Sequence, residues 1–164
     1  MKNIFLFLSL LLCSTLSHSQ NGLVQGPFKI DSDKYIYIKS ESDVNYPLSL
    51  YFESNGLSQK VDSYEVDGDN PHVETVFFEK IDGVKNVIVL MSWHQLHSAE
   101  KISGNSYRVY GYKYIGDGLV INSRIKNDQN LNGMDGDFGG TFLKFKYKDA
   151  ASIKQYIRGG VNFN

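Results

Sequence analysis

Residues Val73–Trp93, V-E-T-V-F-F-E-K-I-D-G-V-K-N-V-I-V-L-M-S-W, decide the fold. Asp82-Gly83 divides the stretch into two arms. An Asp-Gly pair suits the two positive φ angles of a type I′ turn, so the stretch predicts a β-hairpin. Its second arm, Val87–Trp93, is apolar at nearly every position. A strand with that pattern has to be covered on both faces, which places it centrally in a sheet.

Moving outward, Lys34–Ile38 is rich in aromatic and β-branched residues and predicts a strand. Leu48, Leu50 and Phe52 alternate with Ser49, Tyr51 and Glu53, the period of a half-buried strand. Asn55-Gly56 is a second hairpin signal, and Leu57–Val66 returns as a more polar strand near an edge. Asp67–Pro71 reads as a loop. On the far side of the hairpin, His94–Gly104 is polar and carries no clear period. Ser106–Ile115 is a long strand with tyrosines on both faces, and Gly111 inside it marks a bulge or a close approach of another backbone. Leu119–Ile125 returns, Lys126–Gly140 reads as a long Gly/Asn/Asp-rich loop, and Phe142–Tyr147 alternates as a last strand. Asp149 is a good N-cap for a helix whose Ala150, Ile153, Tyr156 and Ile157 share one face, with Gly159 to end it. A helix this short needs to dock its apolar face on the sheet. The expected fold is mainly β with one C-terminal helix (α+β). Seven or eight strands form an antiparallel sheet system, either a sandwich or an open barrel-like sheet, with the helix packed on it.

At the N-terminus, Lys2, the apolar run Ile4–Leu12 and small residues at Ser17 and Ser19 predict a signal peptide over residues 1–19, cleaved between Ser19 and Gln20. The apolar run is short for a membrane span. Cys13 does not fit a lipid-anchor site, because Leu12 before it is not small and it lies inside the apolar run. Residues 20–164 then form a single exported domain, periplasmic or secreted. Cys13 is the one cysteine, so the mature chain has no disulfide, no Cys-based zinc site and no thiol nucleophile. Gln20–Ser32, with Gly22, Gly26 and Pro27, reads as a loose lead-in. The whole chain has a formal net charge of −1 and no basic stripe, which argues against nucleic acid as partner. No later segment is long and apolar enough to span a bilayer.

Three patterns could carry chemistry. His94 and His97 with Glu100 would share a face if they lay on a helical turn, and could then serve a small metal-dependent hydrolase. The alternative is a polar loop leaving a buried strand. Asp128, Asn130, Asn132 and Gly133 match the first half of a calcium-binding loop, with Asp135 or Asp137 as substitute ligands; however, Gly139 stands where the bidentate carboxylate belongs. Otherwise the segment is an Asn/Gly-rich turn and the protein needs no cofactor. Tyr35, Tyr37, Tyr107, Tyr110, Tyr112 and Tyr114 could line a face for a sugar or a partner protein, or simply pack the strands. No G-x-S-x-G elbow is present, and no residue stands out as a catalytic group. The expected binding residues are Trp93, His94, His97, Tyr110 and Tyr112.

V-I-V-L-M-S-W at 87–93, G-N-S-Y-R-V-Y-G-Y at 104–112, L-N-G-M-D-G at 131–136 and K-Y-K-D-A-A-S-I-K at 146–154 together resemble a loose group of small exported Gram-negative proteins of unassigned function. Some of that group are associated with immunity against secreted antibacterial toxins. The resemblance covers roughly the C-terminal half and assigns no catalytic residue. It implies that Gly133 and Gly136 are turn residues. The function expected is therefore a non-enzymatic binding module with a protein partner, in the form of a toxin-immunity or inhibitor protein. A metal-dependent hydrolase and a carbohydrate- or envelope-binding protein are the alternatives.

Overall fold

The computed structural model describes residues 22–159. The expected signal peptide, its cleavage site and Cys13 lie outside the described residues. Two antiparallel sheets and a helical layer stack in three tiers. The first sheet is a meander of β1 (Leu23–Asp31), β2 (Lys34–Ser40), β3 (Leu48–Ser54) and β4 (Leu57–Tyr64). The second contains β5 (His72–Ile81), β6 (Val84–His97), β7 (Ile102–Tyr114), β9 (Asn132–Phe138) and β10 (Thr141–Leu143), in the order β10-β9-β7-β6-β5. A short β8 (Leu119–Ile121) shares the β9 side of β7. Helix α1 (Ser123–Asn127) follows β8, and helix α2 (Ala150–Arg158) follows β10. The α+β class and the sandwich form of the prediction hold, and the sheets do not close into a barrel.

Both hairpin signals act as expected. Asn55 and Gly56 take φ of 52° and 74°, and Asp82 and Gly83 take 51° and 77°, the left-handed pair that a type I′ turn needs. Between the sheets, Ile36 and Ile38 of β2 oppose Phe52 and Leu50 of β3, and all four are buried. They meet Val87, Val89, Met91 and Trp93 of β6 in one core. The other face of β6 places Ile88 and Leu90 against Ile125, Leu131, Ile153 and Ile157, in a second core under the helical layer. β6 is thus covered on both faces, as its unbroken apolar run requires. Asp149 caps α2 by accepting from Ser152 N at 2.8 Å, and Arg158 near its end forks onto the buried Glu79 carboxylate at 2.9 and 3.1 Å.

The structure corrects several sequence expectations, each for a packing reason. Gln20–Ser32 is not a loose lead-in over its described part: Leu23–Asp31 is β1, and its Ile30 is buried in the first core. The polar segment after Trp93 continues β6 to His97, because β7 pairs with it residue by residue from His97–Ile102 onward. β5 begins opposite Ser92, so His94–His97 project beyond it, which explains their polarity. Leu119–Ile125 is strand only to Ile121 and then turns into α1, capped by Asn122. Lys126–Gly140 is not a loop. It closes α1, makes a 3-10 turn at Gln129–Leu131 and then runs as β9. Gly133 and Gly136 are strand residues, not turn residues: a Cβ on Gly133 would lie 2.3 Å from the Phe145 ring, and one on Gly136 2.5 Å from Ser103 O. The last strand ends at Leu143, and Phe145 instead drops into the space left by Gly133 and stacks on Tyr107 at 5.4 Å. Gly111 is closely approached, but by a side chain and not by the backbone the sequence suggested: a Cβ there would meet Ile125 at 2.8 Å.

Candidate functional site: a cleft at the open side of the sandwich

β9 pairs with β7 only up to Arg108, and β8 begins at Tyr112. Val109–Gly111 therefore has no strand on that edge, and Asn122 N donates to Gly111 O at 2.8 Å instead. On the facing sheet, β4 is an edge strand. The two edges bound a cleft of about 450 Å³ lined by Tyr46, Asp62, Ser63, Glu65, Arg108, Tyr110, Tyr112, Lys126 and Asn132, among others.

Strand alternation aims these side chains. Arg108, Tyr110 and Tyr112 lie opposite Met91, Val89 and Val87, so all three face the first sheet. A bulge in β4 after Lys60 sets Asp62 opposite Leu50, which turns its carboxylate inward. Tyr112 hydroxyl donates to Asp62 Oδ2 at 2.8 Å, and the buried Tyr64 hydroxyl lies 3.2 Å from that of Tyr112. Tyr110 packs edge-on against Tyr64 at 4.9 Å. Arg108 Nη1 donates to Glu65 Oε1 and to Tyr110 hydroxyl, each at 3.4 Å, while its guanidinium sits 5.5 Å from the Trp93 ring centre. Trp93 Nε1 donates to Glu65 O at 2.9 Å, which ties the start of the β4–β5 connection to the core.

Burial pushes the phenols of Tyr64, Tyr110 and Tyr112 above the ordinary tyrosine pKa, so all three stay protonated at neutral pH. Burial works against the Arg108 charge, but Tyr110 and Glu65 outweigh it and its pKa lies above the ordinary value. On the outer face of the first sheet, burial and the bond to Glu41 push Tyr51 up to about 12. The unfolded chain ionises its tyrosines near pH 10, before the folded chain does. The stability tied to Tyr51 is therefore complete below about pH 10 and drains as pH rises through about 12, and that tied to Tyr64, Tyr110 and Tyr112 likewise begins to drain only above about pH 10. A base titration followed by tyrosinate absorbance should show Tyr64 and Tyr112 ionising only together with unfolding. Gradual ionisation with the fold intact would contradict this.

The hydroxyl chain predicts an asymmetry. Tyr112→Phe leaves the buried Tyr64 hydroxyl with no partner and should cost about 1–3 kcal/mol. Tyr64→Phe keeps the Tyr112–Asp62 bond and should cost about 1 kcal/mol or less. Chemical denaturation of both variants checks the order.

Of the residues expected from the sequence, Tyr110 and Tyr112 line the cleft, and Trp93 lies beneath it, 1% exposed, as the floor for Arg108. His94 and His97 do not join them. They stand three apart on a strand, so their side chains point to opposite faces, and Glu100 belongs to a 3-10 turn. The helical turn that would have grouped them is absent. Asp128 caps the 3-10 turn and accepts from Asn130 N at 2.9 Å and Tyr156 hydroxyl at 2.8 Å; Asn132 Nδ2 donates to Asp128 O at 3.1 Å. Asp135 pairs with Lys148 at 2.7 Å. Among the described residues, no three His, Cys, Asp or Glu side chains are grouped to hold a metal ion. The six tyrosines do not form one platform: Tyr35 and Tyr37 face outward on the first sheet, Tyr110, Tyr112 and Tyr114 face between the sheets, and Tyr107 faces the helical layer. No helix among the described residues is long and apolar enough to cross a membrane. Sequence reasoning missed Arg108, Asp62, Glu65 and Tyr46. The signal available for Arg108 was its alternation with Tyr110 and Tyr112, which put a charge on the apolar face. Comparison with protein-family models, with curated proteins and with solved structures finds no match to this chain.

Proposed function

We propose that the protein is an exported binding module that acts through this cleft, as a toxin-neutralising or inhibitor protein. The observation that carries the reading is the fixed setting of the cleft's side chains. Tyr112 stands between Tyr64 and Asp62 in a hydrogen-bonded chain, Tyr110 packs edge-on against Tyr64, and the buried Trp93 ring lies under Arg108. Groups already immobilised before binding lose little freedom on binding, which is where much affinity is otherwise spent. Tyr, Trp and Arg are also the residue types on which protein interfaces concentrate their energy. Export rests on the leader pattern around Lys2, Ile4–Leu12 and Ser19.

The test is photo-cross-linking in intact cells, with a photoreactive residue at exposed Tyr46 on the cleft rim and, as reference, at Lys80 on β5. A single discrete adduct from Tyr46 alone, with a partner whose activity falls when the purified protein is added, is the expected result. Equal adducts from both positions, or none from Tyr46, would remove the reading.

A further inference from the structure

We infer that the cleft takes a carboxylate, received by the planar fork of Arg108. The inference rests on the binding-module reading above and names the chemistry of what is bound. Its basis is an imbalance in how the polar groups are already used. The Asp62 carboxylate is occupied, accepting from Ser63 N at 2.9 Å and from Tyr112 hydroxyl at 2.8 Å. The donors are unspent. Among the described residues Arg108 uses only Nη1, in two bonds of 3.4 Å, and leaves Nε and Nη2 without a partner. Among the described residues the Lys126 ammonium on the rim has no hydrogen bond or ion pair, its backbone N–H alone being used, on Asn122 O. A guanidinium with its remaining donors free, lying over an indole, is set to bind a planar carboxylate through two parallel bonds.

Glu65 occupies Arg108 only loosely. The pair is 3.4 Å apart and both side chains are about half exposed, a geometry that contributes little. An incoming carboxylate with better alignment displaces it. Asn132 adds a second feature. It lies directly across the β7–β9 ladder from Arg108, and its Oδ1 is buried without a hydrogen-bond partner. A hydroxyl beside the ligand's carboxylate would supply the donor this oxygen lacks once the Asn132 side chain turns it toward the cleft. The carboxylate can come from a free hydroxy acid or from an acidic side chain of a partner; the added hydroxyl belongs to the first source alone.

The experiment titrates the purified protein with four probes: glucuronate; glucose, its neutral counterpart; and a capped Gly-Glu-Gly peptide with its Gly-Gln-Gly counterpart. Binding is read from the NMR signals of Arg108 Nε–H and the Tyr110 amide. Glucuronate, the Glu peptide or both should bind at least about tenfold more tightly than the neutral counterpart. Glucuronate alone identifies a free acid as the source; the Glu peptide alone identifies a partner side chain. Arg108→Gln should weaken the binding by about tenfold or more, and Glu65→Gln should tighten it by removing the competing carboxylate. A merely structural Arg108 would not give these opposite signs. Neutral probes binding equally well, no binding by either acid, or unchanged affinity in both variants would overturn the inference. If the Tyr46 adduct persists while the acids fail, only the carboxylate assignment falls; if the adduct is also lost, the binding-module reading falls with it.

Discussion

Leu90→Ala is expected to destabilise the protein by about 2–5 kcal/mol, measured by chemical denaturation. Leu90 is fully buried in the second core, where β6 meets the helical layer. Truncation there opens a cavity that neighbours on two tiers would have to collapse to fill. Sheet backbone bonded on both sides cannot follow, because β5 and β7 hold β6 in register at this position. The control lies on the same strand. Leu96 is 62% exposed beyond the end of β5, and Leu96→Ala should change stability by no more than about 0.5 kcal/mol. Similar costs at the two positions would mean that β6 is not buried as described.

Trp93→Ala should cost about 3–5 kcal/mol and also disable the cleft. The indole is 1% exposed and packs into the core between the sheets. Its loss removes the largest fully buried side chain, the bond to Glu65 O and the surface on which Arg108 lies. Trp93→Phe separates these effects. It restores most of the apolar volume and a ring under Arg108, but not the N–H donor. The Phe variant should therefore recover most of the stability, while the Glu65 segment loses its anchor and exchanges its amides faster. Equal stability of the Ala variant and the wild type would contradict the placement of Trp93 at the junction of fold and site.

The parts of the fold that depend on local rules were legible in the sequence. Asp82-Gly83 and Asn55-Gly56 demand left-handed backbone, and Val87–Trp93 has too few polar atoms to face water on either side. Asp149 and the Ile153/Ile157 spacing sufficed for α2. What was not legible depends on a partner remote in sequence. Gly133 and Gly136 look like turn residues until β7 and Phe145 are known to approach them, because a close contact and a turn select the same residue. His94–His97 look like loop because they are polar, yet β7 pairs with them along one edge and solvent explains the polarity. The cleft follows the same division. Tyr110 and Tyr112 drew notice as aromatics on a strand, whereas Asp62 and Glu65 became site residues only when β4 was placed across from β7. Its inward carboxylate arises from a one-residue bulge that no pattern in Leu57–Tyr64 announced.

Native-state hydrogen exchange, resolved by residue, tests the central claim most directly: that β6 is the strand enclosed by everything else. The amides of Val87–Met91 should be the most protected in the molecule and open only with global unfolding, while those of the exposed edge strand β10, Thr141–Leu143, exchange by local opening. Exchange of Val87–Met91 as fast as that of β10 would contradict the three-tier arrangement on which the cleft is built.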